Sequence, residues 1–264
     1  MPNQGHDTSV GWAIITGASS GLGVSFATAL ARRGYDLILI ARRESPMREL
    51  ADKLQREHRI KVIVQSLDLG KPNATARLKQ MLDVDGIAVD ILVNNAAFAI
   101  SGPFLDQDPE RLRAMLQLNI MALTELTQAF GRSMAQRGRG LILLVASVGA
   151  YTPSPLAAAY SAAKSYVLSL GVALNVELGP NVGVTVMSPG LMETEFHDVA
   201  GFTMKASMRR SVLSTGKVAA IGLDAMFAHR SSVIAGRINT LGAFVSRLLP
   251  RSLLARMAYQ VSRT

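Results

Sequence analysis

Tyr160 and Lys164 stand four residues apart in the segment Tyr160-Ser161-Ala162-Ala163-Lys164. If that segment is helical, the two side chains share one face. A free phenol titrates near about 10 and is a poor base at neutral pH. A neighbouring ammonium favours the phenolate and lowers that value. Such a pair can give a proton to a developing alkoxide or take one from an alcohol. Ser147 lies upstream at the end of an apolar run, where its hydroxyl can hydrogen-bond a substrate oxygen and polarise it. Asn119 sits among Leu116, Leu118, Ile120 and Met121, an unusual place for an amide in a plain helix interior. His6, His58, His197 and His229 are scattered without ligand spacing, so no metal is expected.

These residues need a frame that brings them together. Trp12–Thr16 reads as a strand, Gly21–Arg33 as a helix ended by Gly34, and Tyr35–Ala41 as a strand buried on both faces. Pro46–His58 reads as a helix, Lys61–Ser66 as a strand and Pro72–Leu82 as a helix. Ile91–Asn94 is a strand, Pro109–Arg137 one long helix, Leu141–Ser147 a strand and Ala157–Leu178 a second long helix. Gly183–Ser188, Lys217–Ala228 and Ser232–Ile234 complete the alternation. Strands alternating with helices predict an α/β fold: a Rossmann-like, doubly wound parallel sheet in three α/β/α layers. A length of 264 residues fits one domain.

The first strand runs directly into Thr16-Gly17-Ala18-Ser19-Ser20-Gly21-Leu22-Gly23. Glycines permit a tight turn and a close approach of backbone to a phosphate, and the helix start offers free N–H groups and a positive dipole end to a pyrophosphate. Gly17, Ser19, Ser20, Gly21, Leu22 and Gly23 are therefore candidate cofactor contacts. At the end of the second strand, where an acidic residue would bond an adenosine ribose, the chain places Arg42 and Arg43. A guanidinium there suits a 2′-phosphate, which favours NADP(H) over NAD(H).

The spacing G-x-x-x-G-x-G within T-G-A-S-S-G-L-G resembles the short-chain dehydrogenase/reductase family, as does Tyr160-x-x-x-Lys164 preceded by Ser147 and Asn119. Asn94-Asn95-Ala96-Ala97 is similar to the family's N-N-A-G, with Ala97 in place of the last glycine. Together the resemblance covers roughly residues 10 to 235. It implies that Asn119, Ser147, Tyr160 and Lys164 act as one catalytic set, with Asn119 holding a water in a proton relay with Lys164. It implies that Asp68 and Leu69 bracket the adenine, and that Asn95 and Ala96 run along the cofactor. Pro189 and Gly190 resemble the family's P-G segment, where main chain near Met192 meets the nicotinamide amide and Thr194 adds a hydroxyl. The implied activity is a hydride transfer between NADP(H) and a carbonyl or secondary alcohol, in a homo-oligomer, dimer or tetramer. Residues 191–215 would form a substrate lid. With Leu191, Met192, Phe196, Val199, Phe202, Met204 and Met208, that lid suits an apolar substrate. Ser101, Phe104, Tyr151 and Pro153–Leu156 are further candidates for the same pocket.

Composition narrows the rest. The chain has no cysteine, which excludes thiolate catalysis and disulfides. Residues 1–10 lack the features of a signal peptide, and no apolar run reaches the ~18 residues of a membrane span, so a cytoplasmic protein is expected. The net charge of +9 is unevenly placed: residues 1–200 carry 18 basic and 18 acidic side chains, residues 201–264 carry 10 basic and 1 acidic. Residues 1–236 are expected to form the oxidoreductase domain and 237–264 a basic amphipathic helical extension. In that extension Leu241, Phe244, Val245, Leu248 and Leu249, then Leu253, Leu254, Met257 and Val261, recur at helical spacing. Such a pair can lie on a membrane surface or pack on its own domain or a second subunit. No aromatic-interleaved basic patch points to nucleic acid. The tail and Ala41-Arg42-Arg43-Glu44 are loosely similar to membrane-linked β-ketoacyl and steroid reductases, which implies lipid-like carbonyls. Two other readings stand beside the enzyme: an NADP(H)-binding regulator without turnover, and a membrane-peripheral scaffold that uses the tail.

Overall fold

The computed structural model describes residues 10–192 and 212–262, with side chains as far as Gln260. Seven parallel strands among these residues form one sheet: β1 (Trp12–Thr16), β2 (Asp36–Ala41), β3 (Val62–Ser66), β4 (Val89–Asn94), β5 (Gly140–Val145), β6 (Val182–Ser188) and β7 (Ser232–Ile234). Their order is β3-β2-β1-β4-β5-β6-β7. The central strands are buried along nearly their whole length and largely apolar, such as DLILIA in β2 and VGVTVMS in β6, because helices cover both faces. On one face α1 (Gly21–Ala31), α2 (Glu44–His58) and α7 (Thr215–Phe227) bury Phe26, Leu30, Met47, Leu54 and Leu223. On the other, α3 (Ala74–Val84), α5 (Leu123–Arg137) and α6 (Ala158–Leu178) bury Leu78, Leu82, Phe130 and Val167. This is the doubly wound, three-layer arrangement that the alternation predicts.

The order reverses between β1 and β4, so the segments that leave those strands diverge. In an open parallel sheet that divergence makes a crevice beyond the carboxyl ends, where ligands bind. Thr16, Asn94, Val145 and Ser188 all end their strands at this edge.

Several bounds shift by a residue or two from the sequence reading, as where α2 starts at Glu44 rather than Pro46 and β4 at Val89 rather than Ile91. The long helix from Pro109 runs through to Arg137 as expected but is not uniform: α4 (Pro109–Leu116) and α5 are joined by a π turn at Gln117–Ala122 that contains Asn119. Such a turn inserts an extra residue and is a frequent mark of functional positions. Helix α3 starts at Ala74 rather than Pro72, because Asn73 adopts the left-handed region (φ 60) and separates the proline from the helix. After β7 the chain forms α8 (Arg237–Val245) and α9 (Arg251–Ser262), the two helices expected around Pro250. No helix among the described residues is long and apolar enough to cross a membrane.

Candidate active site

The Gly-rich turn is held from below. The backbone N–H groups of Gly17 and Ala18 both donate to Ile40 O, at 2.8 and 3.2 Å, so the turn is fastened to β2. Gly17 has φ +68, which only glycine adopts freely. A Cβ on Gly23 would lie 2.1 Å from Gly17 O, so the start of α1 can rest on the turn only without a side chain there. Ser20, the N-cap, has extended backbone and makes no side-chain cap, and the first turn of α1 holds no acidic residue. The helix start therefore turns its N–H groups and positive end to the crevice, as an anion requires. Leu22 points the other way and is buried in the core. Arg43 Nε lies 3.4 Å from Ser19 Oγ, which brings a guanidinium onto the rim of the turn. Arg42 is exposed, and its carbonyl accepts from Ser66 Oγ at 3.1 Å. This glycine cradle, helix start and arginine rim fit a dinucleotide phosphate.

The segment after β4 is tied to the same turn. Thr16 Oγ1 accepts from the backbone N–H of both Asn95 and Ala96 at 2.9 Å and donates to Val93 O. Asn95 Nδ2 donates to Thr16 O at 2.8 Å. Asn94 is buried and donates to Thr127 Oγ1 and Leu123 O, which locks β4 onto α5. Asp68 Oδ1 accepts from Gly70 N at 3.0 Å to form the turn after β3, and Leu69 is buried behind it. Asn119 is fully buried and spends both ends of its amide on Phe98: Nδ2 donates to Phe98 O at 2.9 Å, and Oδ1 accepts from Phe98 N at 3.2 Å. The π turn thus clamps the β4 loop.

Ser147, Tyr160 and Lys164 converge at the end of β5. Ser147 caps a 3-10 turn at Val148–Ala150, accepting from Gly149 N at 3.1 Å. Its side chain hydrogen-bonds Tyr160. Lys164 is 2% exposed and donates to Val145 O at 2.8 Å, and its ammonium lies 5.8 Å from the centre of the Tyr160 ring. One expectation changes here. The ammonium sits over the ring and is engaged with a β5 carbonyl, and the phenol is not made more acidic. Burial pushes Tyr160 up to about 12, against a smaller lowering from the Ser147 hydrogen bond. Burial also brings Lys164 down to about 8.

Pro189 follows β6, and its carbonyl accepts from Val148 N at 2.9 Å, so the P-G turn and the Ser147 turn are joined. Met192 forms a parallel bridge with Leu213, which brings the two ends of the 191–215 segment together. Thr194 and residues 193–211 of the expected lid lie outside the described residues.

Two contributors escape a motif reading. Asn239 of α8 donates to Ala235 O at 2.6 Å, and its amide fills the space where a Gly190 side chain would stand, 2.2 Å from that Cβ position. Ser246, just past α8, lies 3.4 Å from Tyr151 O, while Ser188 Oγ lies 3.4 Å from the Tyr151 hydroxyl. The only sequence signal was two polar residues opposite a greasy stripe.

A model of the short chain dehydrogenase family matches residues 11–204. The chain belongs to this family. The very-long-chain 3-oxoacyl-CoA reductase of Phaeosphaeria nodorum is 38% identical over 176 residues, 64% of this chain and 51% of that protein. The chain spans about half the length of the curated relatives it matches. Among solved structures of short-chain dehydrogenases, the NADPH complex from Sphingobium yanoikuyae superimposes with a TM-score of 0.80 at 32% identity, covering 90% of this chain and 95% of that one. The bulky-bulky ketone-specific alcohol dehydrogenase of Comamonas testosteroni gives 0.76 at 30% identity, covering 91% and 94%.

Proposed function

We propose that this short-chain dehydrogenase is an NADP(H)-dependent carbonyl reductase. Its substrate is a bulky apolar ketone of lipid, steroid or ketoacyl type, interconverted with the secondary alcohol. The observation that carries this reading is the convergence of Ser147, Tyr160 and Lys164 beside the crevice, next to a glycine cradle edged by Arg43. Bound NADPH supplies the hydride from its nicotinamide ring.

The chain supplies the rest. The cradle of Gly17, Ser19, Ser20, Gly21 and Gly23 takes the pyrophosphate, and Arg42 and Arg43 take the 2′-phosphate. Asp68, Leu69, Asn95 and Ala96 line the adenosine half, and Pro189, Gly190, Met192 and Thr194 the nicotinamide half. Ser147 holds the carbonyl oxygen. Tyr160, lifted to about 12, keeps its proton at neutral pH and can give it to the oxygen as alkoxide character develops. Lys164 provides the charge behind the phenol while it remains protonated, which fails above about 8. Asn119 is a positioning residue for the β4 loop.

The NADPH complex of the Sphingobium relative supports the coenzyme assignment. The bulky-ketone and 3-oxoacyl-CoA names of other relatives support the substrate class. Exposed Met121, Tyr166, Val172 and Val176 on the π turn and α6 support a homo-oligomer through that side of the protein. The test is a fluorescence titration with NADPH and NADH, followed by NADPH consumption over a panel of apolar ketones. Binding of NADPH with turnover of at least one bulky ketone is expected. Binding of neither nucleotide overturns the assignment.

A further inference from the structure

Helix α8 has its polarity reversed. Asn239, Ala243 and Ser246, spaced i, i+4 and i+7, form the side that faces the protein. The opposite side carries Ile238, Leu241, Phe244 and Val245, and Leu248 in the turn that follows continues it, exposed by 71%, 64%, 60%, 43% and 70%. A helix on a soluble domain normally does the opposite, burying its greasy stripe. Helix α9 continues the surface with Leu253 and Met257, exposed by 44% and 54%, while Leu254 anchors it. Contiguous exposed apolar surface of this kind marks an interaction site.

The charge around it selects the partner. Arg237, Arg251 and Arg256 on the two helices and Arg247 in the turn between them are all exposed, and residues 237–264 contain no Asp or Glu. A second copy docking through this face would bring the same arginines against themselves, which like-charge repulsion opposes. An anionic bilayer meets both demands. Its acyl boundary takes leucine, isoleucine and phenylalanine side chains without needing matching pockets, and its headgroups pair with guanidinium. Since neither helix is long enough to span, both would lie in the plane of the interface.

We infer that the outer face of α8 and α9 docks this protein on an anionic lipid surface. The inner face of α8 meanwhile holds Gly190 and Tyr151, so the docked surface adjoins the mouth of the crevice. An apolar carbonyl dissolved in the bilayer would then reach the site without crossing bulk water.

The experiment is co-sedimentation of the full chain with phosphatidylcholine vesicles, with and without phosphatidylglycerol. Binding is expected only where phosphatidylglycerol is present. The triple variant Arg247→Gln, Arg251→Gln, Arg256→Gln should bind about a hundredfold more weakly, at roughly fivefold per arginine. Leu241→Ser with Leu248→Ser should lose vesicle binding while the melting temperature holds, because both side chains are already exposed. Equal binding to both vesicle types, unchanged binding by either variant, or no binding at all would overturn the inference. So would monomerisation of an oligomer by the two serines, seen in sedimentation velocity, which would assign the face to a second copy. Tyr160→Phe should bind vesicles like the parent, so a failure of the enzymatic reading and a failure of this one are separable.

Discussion

Helix α6 buries a lysine and a serine, whereas α8 turns a row of large aliphatic side chains to solvent. Both run against the ordinary partition of polar and apolar residues, in opposite senses. In α6, Lys164 and Ser161 are 2% and 5% exposed. A buried ammonium is tolerable only when it is hydrogen-bonded, and Val145 O supplies that bond. The cost is met inside the fold, and the strained titration of Tyr160 and Lys164 is its trace. In α8 no such compensation appears among the described residues. Each of the half-exposed side chains in this row forgoes part of the about 1.5–3 kcal/mol that full burial would give. The first departure belongs to a candidate site completed by folding, the second to the surface proposed above to dock on lipid.

The sharpest way to break this comparison is at Tyr160. Tyr160→Phe should lower ketone reduction by about 10²–10⁴-fold, the usual contribution of a positioned general acid. NADPH binding, read by fluorescence, should stay unchanged. A variant that loses binding as well would show the phenol to be structural. Next come the arginines. Arg43→Asp should weaken NADPH about tenfold to a hundredfold, the worth of one or two charge-assisted hydrogen bonds. It should leave NADH nearly untouched, and Arg42→Asp should have the smaller effect, since Arg43 reaches Ser19.

Lys164 tests the buried half by pH. Its folded value of about 8 lies below the ordinary 10.5, so the fold opposes its charged form. That penalty is fully present below about 8 and vanishes as pH rises toward 10.5. The melting temperature of Lys164→Met relative to the parent should therefore be highest below pH 8 and fall across that window. Reduction by the parent enzyme should decline above about 8. A flat difference would mean that the lysine is better solvated than its burial suggests. The smallest expected effect is at the joint between the two regions. Asn239→Ala removes a hydrogen bond worth about 1 kcal/mol, or roughly 2–4 °C in melting temperature. It should also raise KM for bulky ketones by loosening the Gly190 turn, while kcat changes less.

Much of this was legible in residue order. Unbroken apolar runs marked the strands, and Gly17-x-x-x-Gly21-x-Gly23 marked the glycine turn, because both depend on local backbone rules. Tyr160 and Lys164 were legible as a pair because i and i+4 share a helical face wherever the helix lies. Three features were not. The π turn at Asn119 depends on Phe98, twenty-one residues away, offering both an N–H and a carbonyl. The titration of Tyr160 depends on how deeply the sheet buries it, and there burial outweighs the neighbouring ammonium. The tail's amphipathic pattern was plain, but which stripe faces the protein was open.

The sequence alone determined the wound α/β frame, the glycine turn and the identity of the candidate proton donor, because spacing along one element needs no knowledge of the others. Only the tertiary structure decided that the lysine's charge is held against β5, that the asparagine clamps a loop, and that the greasy side of α8 looks outward. Each of those depends on which atoms from distant parts of the chain arrive at the same place, and no local spacing encodes that.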